Sequence, residues 1–298
     1  MAFLDNFKKL FSSQEKLDVS ARFDLLREAV AGTMSSFFMA RERKTGKIYG
    51  LKILDPEKTQ QFEARFKGLK KPPERKVAMS IKHPRIVETY EYGLTTRGEQ
   101  YIIMEFVEGT GLSQVLYLRD RQIIGKRVKL LRDMAESIDF VHKKGFIHRD
   151  ICPRNFIVAP DFNSLKLIDF GLTLPDTEPF RQPGNRTGTP LYMAPEVLRR
   201  RLTDKRLDVF SFGVTAYQMM TFEHPWPVGD ATGMAALTHD TEPPRPIKEV
   251  NPKLCPILAD AIMKCISARP ENRPESMEEF LKLIRKVRGE EDQAAVPG

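Results

Sequence analysis

Two short runs hold residue types that can do chemistry together: His148-Arg149-Asp150-Ile151-Cys152-Pro153-Arg154-Asn155 and, further on, Asp169-Phe170-Gly171. Asp150 offers a carboxylate that can orient a hydroxyl and accept its proton. Asn155 offers an amide oxygen and Asp169 a second carboxylate, both hard ligands suited to a divalent cation. A proton acceptor beside a cation site suits chemistry on a polyanion, where in-line positioning and charge neutralisation matter more than covalent help. Far upstream, Lys52 adds a positive charge on a predicted strand. Each piece alone is weak, since Asp-Phe-Gly occurs by chance and a strand lysine is usually solvated.

The elements that must position these residues change character along the chain. Phe37–Ala40 and Tyr49–Leu54 read as paired strands around a charged turn at Lys44-Thr45-Gly46. A polar, helix-favouring stretch runs to Lys82, its second helix opening at Pro72-Pro73. Ile86–Tyr92 and Gln100–Val107 predict two more strands. After Gly109 the period becomes helical: Val128, Leu131, Ala135, Ile138 and Val141 share one face of a helix over 126–144 that stops at Gly145. Short strands at Phe156–Val158 and Leu165–Ile168 interrupt an otherwise helical half. Val209–Met220 is apolar nearly all round and predicts a buried central helix. Ser276 with Glu279 forms a capping box for a last helix whose inner face is Met277, Phe280, Leu281, Ile284 and Val287. A β-rich first third and a helical remainder make an α+β protein of two lobes, with the cleft between them as the natural ligand site.

Composition narrows the class. The chain has 298 residues, 41% hydrophobic and 30% charged, enough for a substantial core and not a disordered composition. Cys152, Cys255 and Cys265 form neither a disulfide framework nor a zinc pattern, which points to a reducing compartment and a cytoplasmic protein. No apolar run is long enough to span a bilayer, and Met1–Ser12 is too charged for a secretory signal. The net charge of +8 is scattered, which argues against a nucleic-acid partner.

The order and spacing of the two opening motifs resemble the catalytic loop and magnesium-binding motif of eukaryotic-type (Hanks-type) serine/threonine protein kinases. The resemblance covers about residues 22–288. It implies a bilobal protein-kinase-like fold with a β-rich N-lobe and a helical C-lobe, and ATP with magnesium as cofactors. Asp150 becomes the catalytic base, Asn155 and Asp169 the metal ligands, and Lys52 the contact to the α- and β-phosphates, held by Glu74. Met104, Glu105 and Val107 look like the gatekeeper and hinge that meet adenine, with Val30, Gly32, Phe37 and Gly50 lining the same nucleotide site. Thr189–Glu196 resembles the substrate-binding end of an activation segment. Glu196 is expected to pair with Arg273, and Asp208 to brace the catalytic loop.

The sequence departs from the family pattern in the glycine window and at Phe37, Gly50, Cys152 and Arg154. The window Val30–Phe37 keeps only Gly32 of three glycines, which loosens the expected grip on phosphate. Phe37 replaces the valine above adenine while Gly50 replaces an alanine, a pairing that can conserve volume. Cys152 stands where serine/threonine kinases carry a lysine. Arg154 occupies a position at which many receptor tyrosine kinases carry an arginine, and its guanidinium could supply the missing charge. A reactive thiol at Cys152 is a weaker alternative. Gly188-Thr189 and Ala194-Pro195-Glu196 favour Ser/Thr over Tyr as acceptor.

The expected function is therefore ATP-dependent phosphoryl transfer to Ser/Thr of protein substrates, with a nucleotide- or partner-binding pseudokinase as the alternative. Arg149 could receive phosphate on Thr177 or Thr187 of the activation loop. Residues 1–20 read as an amphipathic N-terminal extension carrying Phe3, Leu4, Phe7, Leu10 and Phe11, for which packing on protein is favoured over membrane contact. Residues 21–107 and 108–288 are the two lobes and 289–298 a disordered tail. Substrate identity and oligomeric state are not readable from the sequence.

Overall fold

The structure, a computed structural model, describes residues 16–29, 35–228 and 234–291. The chain divides into one unit of residues 16–82 and 87–107 and a second of residues 83–86 and 108–291.

The first unit is built on one antiparallel sheet. Helix α1 (Val19–Arg22) leads into β1 (Phe23–Ala29), β2 (Ser35–Glu42) and β3 (Ile48–Leu54), and α2 (Pro56–Ala64) and α3 (Glu74–Ser80) precede β4 (Thr89–Leu94) and β5 (Gln100–Glu105). The strand order is β1-β2-β3-β5-β4. Leu51 and Ile53 of β3 and Tyr101 and Ile103 of β5 point into a buried cluster with Phe23 and Ala40. The two-residue period turns Lys52 to the opposite face. Asp55 caps α2 by accepting from Lys58 N, with Pro56 in the first turn, where its missing N–H costs nothing.

Two expectations are corrected in this unit. Leu17, assigned to the extension, is buried in the sheet cluster: its N–H reaches Leu94 O at 2.9 Å and its carbonyl accepts from Thr96 N at 2.9 Å. Apolar burial and two backbone bonds make it part of the sheet. The strand expected from Ile86 starts only at Thr89, because Ile86 instead bridges Leu167 in the second unit. Residues 1–15 and the window 30–34, with Val30 and Gly32, lie outside the described residues.

The second unit opens with β6 (Thr110–Gly111), α4 (Leu112–Tyr117), α5 (Arg127–Lys143) and β7 (Phe146–Ile147). It continues through β8 (Phe156–Val158), β9 (Leu165–Leu167), β10 (Leu174–Pro175), α6 (Glu178–Arg181) and α7 (Pro195–Leu198). Four more helices follow, α8 (Arg206–Thr221), α9 (Ile247–Val250), α10 (Pro256–Cys265) and α11 (Met277–Leu283). Helix α5 buries Val128, Leu131, Ala135, Ile138 and Val141, and Gly145 ends it at φ +80°, a conformation glycine adopts without strain. Helix α8 is buried on all sides, and its Phe212 meets Phe280 of α11 edge to face at 4.7 Å.

Ser276 Oγ accepts from Glu279 N at 3.1 Å, but the Glu279 carboxylate accepts from Glu275 N rather than from Ser276 N, so the reciprocal half of the capping box slips by one residue. Helix α11 stops at Leu283, short of the expected face, yet Ile284 and Val287 stay buried in the turns beyond. The expected disordered tail is also corrected at its start. Glu290 is buried, accepts from Arg127 N at 2.8 Å and Arg127 Nε at 2.6 Å, and its carbonyl accepts from Cys255 N at 2.8 Å. A carboxylate and a guanidinium that are both withdrawn from water cannot be left apart.

Candidate active site

The loop joining β7 to β8 carries His148, Arg149, Asp150, Cys152, Arg154 and Asn155. Its shape is imposed from beneath by Asp208 in the first turn of α8. Asp208 Oδ2 accepts from His148 N at 2.7 Å and lies 2.9 Å from His142 Nε2, while Oδ1 accepts from Arg149 N at 2.8 Å. Full burial alone would push this carboxyl up, but the bond and charge of His142, with His148 and the Arg149 amide, hold it below the usual range. The bracing matters because Arg149 sits at φ +70°, a conformation costly for a residue with a side chain.

Asp150 stands at the accessible end of this arrangement. Asn155 Nδ2 donates to Asp150 O at 2.6 Å and to Oδ2 at 3.0 Å. Thr189 approaches from the activation segment and donates both N–H, at 2.9 Å, and hydroxyl, at 2.7 Å, to Asp150 Oδ1. Arg154 Nη2 donates to Thr189 Oγ1 at 3.0 Å, and Cys152 Sγ lies 3.4 Å from the same oxygen. The single hydroxyl proton of Thr189 is committed to Asp150, which makes the Cys152 S–H the donor in that last contact. Burial, followed by the charge of Asp150, pushes the Cys152 thiol up to about 11. It remains a protonated thiol, and the reactive-thiol alternative is set aside.

Asp169 is fixed through its backbone, His148 Nε2 lying 2.5 Å from its carbonyl oxygen, while its Oδ1 accepts from Gly171 N at 3.0 Å. Phe170 is buried with its ring 5.6 Å from that of His148. Among the described residues no group of three His, Cys, Asp or Glu side chains could hold a metal ion. Asn155 and Asp169 still suit magnesium, which keeps several waters and asks for few protein oxygens. With the Asn155 amide nitrogen engaged by Asp150, its amide oxygen is the atom left to face a cation.

In the first unit, Lys52 Nζ and Glu74 Oε1 are 2.5 Å apart, both largely buried. Phe37 pairs with Lys52 across β2 and β3, and Gly50 pairs with Met104 across β3 and β5. A Cβ added at Gly50 would stand 2.8 Å from Phe37 Cζ, 3.0 Å from Met104 Cγ and 3.2 Å from Glu105 O. The Phe37 ring therefore reaches the space that an alanine at position 50 would need. The Glu105 N–H donates to Glu88 O at 2.8 Å, so of the expected hinge groups this N–H is already committed.

The activation segment is anchored at its far end. Glu196 of α7 takes a bidentate pair from Arg273, at 2.7 and 2.9 Å, with both side chains buried. Sequence reasoning overlooked His142, which occupies the end of α5 as one more polar residue and is marked by no period. It read Thr189 as structural or substrate-facing but missed its meeting with Asp150, which depends on a segment returning from far along the chain. No helix among the described residues is long and apolar enough to cross a membrane.

Comparison with known proteins places this geometry in context. Residues 25–283 match the family model described as the protein kinase domain. The chain is 31% identical over 286 residues to the serine/threonine-protein kinase PknB of Mycolicibacterium smegmatis, covering 93% of this chain and 44% of that protein. It is 31% identical over 277 residues to the serine/threonine-protein kinase pkn3 of Myxococcus xanthus, covering 88% of this chain and 50% of that protein. A probable serine/threonine-protein kinase of Clostridium perfringens is 29% identical over 270 residues, covering 90% of this chain and 38% of that protein. The chain spans half or less of the length of these relatives.

Proposed function

The chain belongs to the protein kinase domain family, and from that premise we propose that it transfers the γ-phosphate of ATP to Ser or Thr hydroxyls of protein substrates. One observation carries the reading: Asn155 and Thr189 converge on Asp150 and aim its carboxylate where an acceptor hydroxyl can be oriented and deprotonated. The relatives' names, all serine/threonine kinases, support the choice of acceptor. Lys52, held by Glu74, is assigned to the α- and β-phosphates, and Phe37, Gly50, Met104, Glu105 and Val107 to adenine. Magnesium, when bound through Asn155 and Asp169, supplies neutralisation of the phosphate charge. Arg154 takes over the cationic role that Cys152 cannot fill, since its guanidinium already reaches the Thr189 hydroxyl beside Asp150. The free cysteines support a cytoplasmic setting.

Autophosphorylation extends the same reading. Arg149 Nη2 donates to Asn185 O at 2.9 Å, its buried Nε has no hydrogen-bond partner, and Thr187 Oγ1 contacts Asn185 Oδ1 at 3.2 Å. Phosphate on Thr187, in preference to Thr177, would bring an anion to that guanidinium.

Transfer from labelled ATP with magnesium to a generic basic protein and to the chain itself is the test. Asp150→Asn should lower the rate roughly 10²- to 10⁴-fold, Asp169→Asn should abolish transfer, and mass spectrometry should find phosphate on Thr187. Nucleotide binding without transfer would instead identify a pseudokinase, with Cys152 and the thinned glycine window as its cause.

A further inference from the structure

We propose that the basic loop following α7, through Arg200, Arg201 and Lys205 around the exposed Leu202, docks an acidic segment of the protein substrate; this rests on the kinase reading above. The run Arg199-Arg200-Arg201-Leu202-Thr203-Asp204-Lys205-Arg206 is the starting point. Part of its charge is neutralised internally. Arg199 holds Asp240 at 2.8 Å, and Arg206 holds Asp204 at 2.6 Å. Arg201 reaches Asp240 only at 4.0 Å, behind Arg199. Arg200 and Lys205 have no carboxylate at ion-pair distance among the described residues, so three cations are left in surplus.

Their placement works against local stability. Arg200 sits at φ +53°, the left-handed position beyond α7 that glycine fills at no cost. The conformation is enforced by Arg199 N to Pro195 O at 2.8 Å, Arg200 N to Val197 O at 3.2 Å and Arg201 N to Glu196 O at 2.8 Å. Lys205 stands at the N-terminus of α8, where the helix dipole repels a cation. Leu202 is 66% exposed between them. Arginine at a glycine position, lysine at the positive end of a helix and a bared leucine give the fold nothing. Together they suit a ligand that brings carboxylates and one apolar side chain.

The loop is also tied to the substrate-receiving segment. Thr203 donates its N–H, at 3.0 Å, and its hydroxyl, at 3.3 Å, to Arg181 O within the activation segment. Helix α7 begins directly after Thr189–Ala194, whose Thr189 contacts Asp150. An acidic stretch held on Arg200 and Arg201 would be held on the same stretch of chain that presents the acceptor hydroxyl to Asp150.

The test uses two Thr-containing peptides, one neutral and one with an Asp/Glu run and a single leucine, with the spacing from the acceptor scanned. The wild-type chain should prefer the acidic peptide, and Arg200→Glu/Arg201→Glu/Lys205→Glu should raise its KM about tenfold with kcat unchanged. The neutral peptide should be indifferent to the variant. Arg200→Gly should raise the same KM about twofold while keeping or raising the thermal midpoint, which separates docking from folding. In parallel, fluorescence anisotropy of an acidic peptide with Ala at the acceptor should report binding that high salt and the triple variant remove. Equal KM for both peptides, or a KM rise common to both, would overturn the proposal. So would a triple variant that loses only its sedimentation with phosphatidylserine vesicles, which would assign the surface to a membrane. Peptide binding that the triple variant removes, without transfer to either peptide by wild type, would sink the phosphotransfer reading and leave the docking surface standing.

Discussion

Two buried ion pairs, one in each unit, are built on different principles. Arg273 donates to Glu196 through both terminal nitrogens, to Arg206 O, Ala268 O and Ser267 O at 2.8 to 3.0 Å, and lies 4.9 Å from the Phe210 ring centroid. Its planar fork is saturated, as suits a pair whose task is to hold α7 in place. Lys52, by contrast, is a compact charge on a flexible stem, meeting Glu74 at 2.5 Å. An ammonium is a point charge that can pivot about that stem, where a planar fork cannot. One pair is fixed by a planar fork, the other by a charge that can swing on its stem.

The contrast breaks most easily at the scaffold. Arg273→Ala should cost about 3–5 kcal/mol by chemical denaturation, since it strands a buried carboxylate and several carbonyls. Lys52→Met should cost less and should instead remove the rise in thermal midpoint that magnesium-ATP gives the wild type. Equal destabilisation by the two would erase the distinction.

A smaller effect sharpens the chemical side. Gly50→Ala should cost about 1–3 kcal/mol, because the new Cβ meets the Phe37 ring. Phe37→Val in the same chain should recover most of that loss. A coupling of about 1 kcal/mol or more, in stability and in nucleotide affinity, is expected from the double-mutant cycle. Strict additivity would mean that the two positions do not share one space.

The smallest effect concerns the scaffold around Phe210, whose ring lies 5.6 Å from that of His239. Burial, then the neighbouring His239, lowers His224 to about 4, and burial also lowers His239 against the pull of Asp240. His224 stays neutral in the folded chain down to about pH 4, while in the unfolded chain it takes up a proton below about pH 6.5. Stability should therefore rise with pH from about 4 to 6.5 and be lost as pH falls through that window, by on the order of 1 kcal/mol per pH unit for His224, with His239 acting in the same direction. Urea titrations at pH 5 and 7 should show a shallower drop in His224→Asn. An unchanged drop would place the acid sensitivity elsewhere.

What could be read in advance divides along the same line. The meeting of Asp150 and Asn155 was legible because both lie on one short loop. Lys52 and Glu74, which meet in the structure, were picked out by the family resemblance, Glu74 through its distance from the downstream His83–Val87 run. The long helices α5 and α8 were legible from periodicity. Strands β6, β7 and β10, with two residues each, carry no period and passed unseen. The Arg127–Glu290 pair joins positions far apart in sequence, and composition near Glu290 reads as a polar tail. Chain-distant ionic contacts leave no local trace.

That last pair sets where the domain can be cut. A fragment stopped at Arg288 would keep every kinase motif and every periodic helix, yet Arg127 would lose its carboxylate while still offering Nη1 to Met219 O and Met220 O at the end of α8. Glu290 belongs to the interior in the same sense as Phe280 does. Any expression boundary, fusion junction or protease site in this chain should be judged from Glu291 outward, and a domain limit drawn by motif alone would remove part of the core.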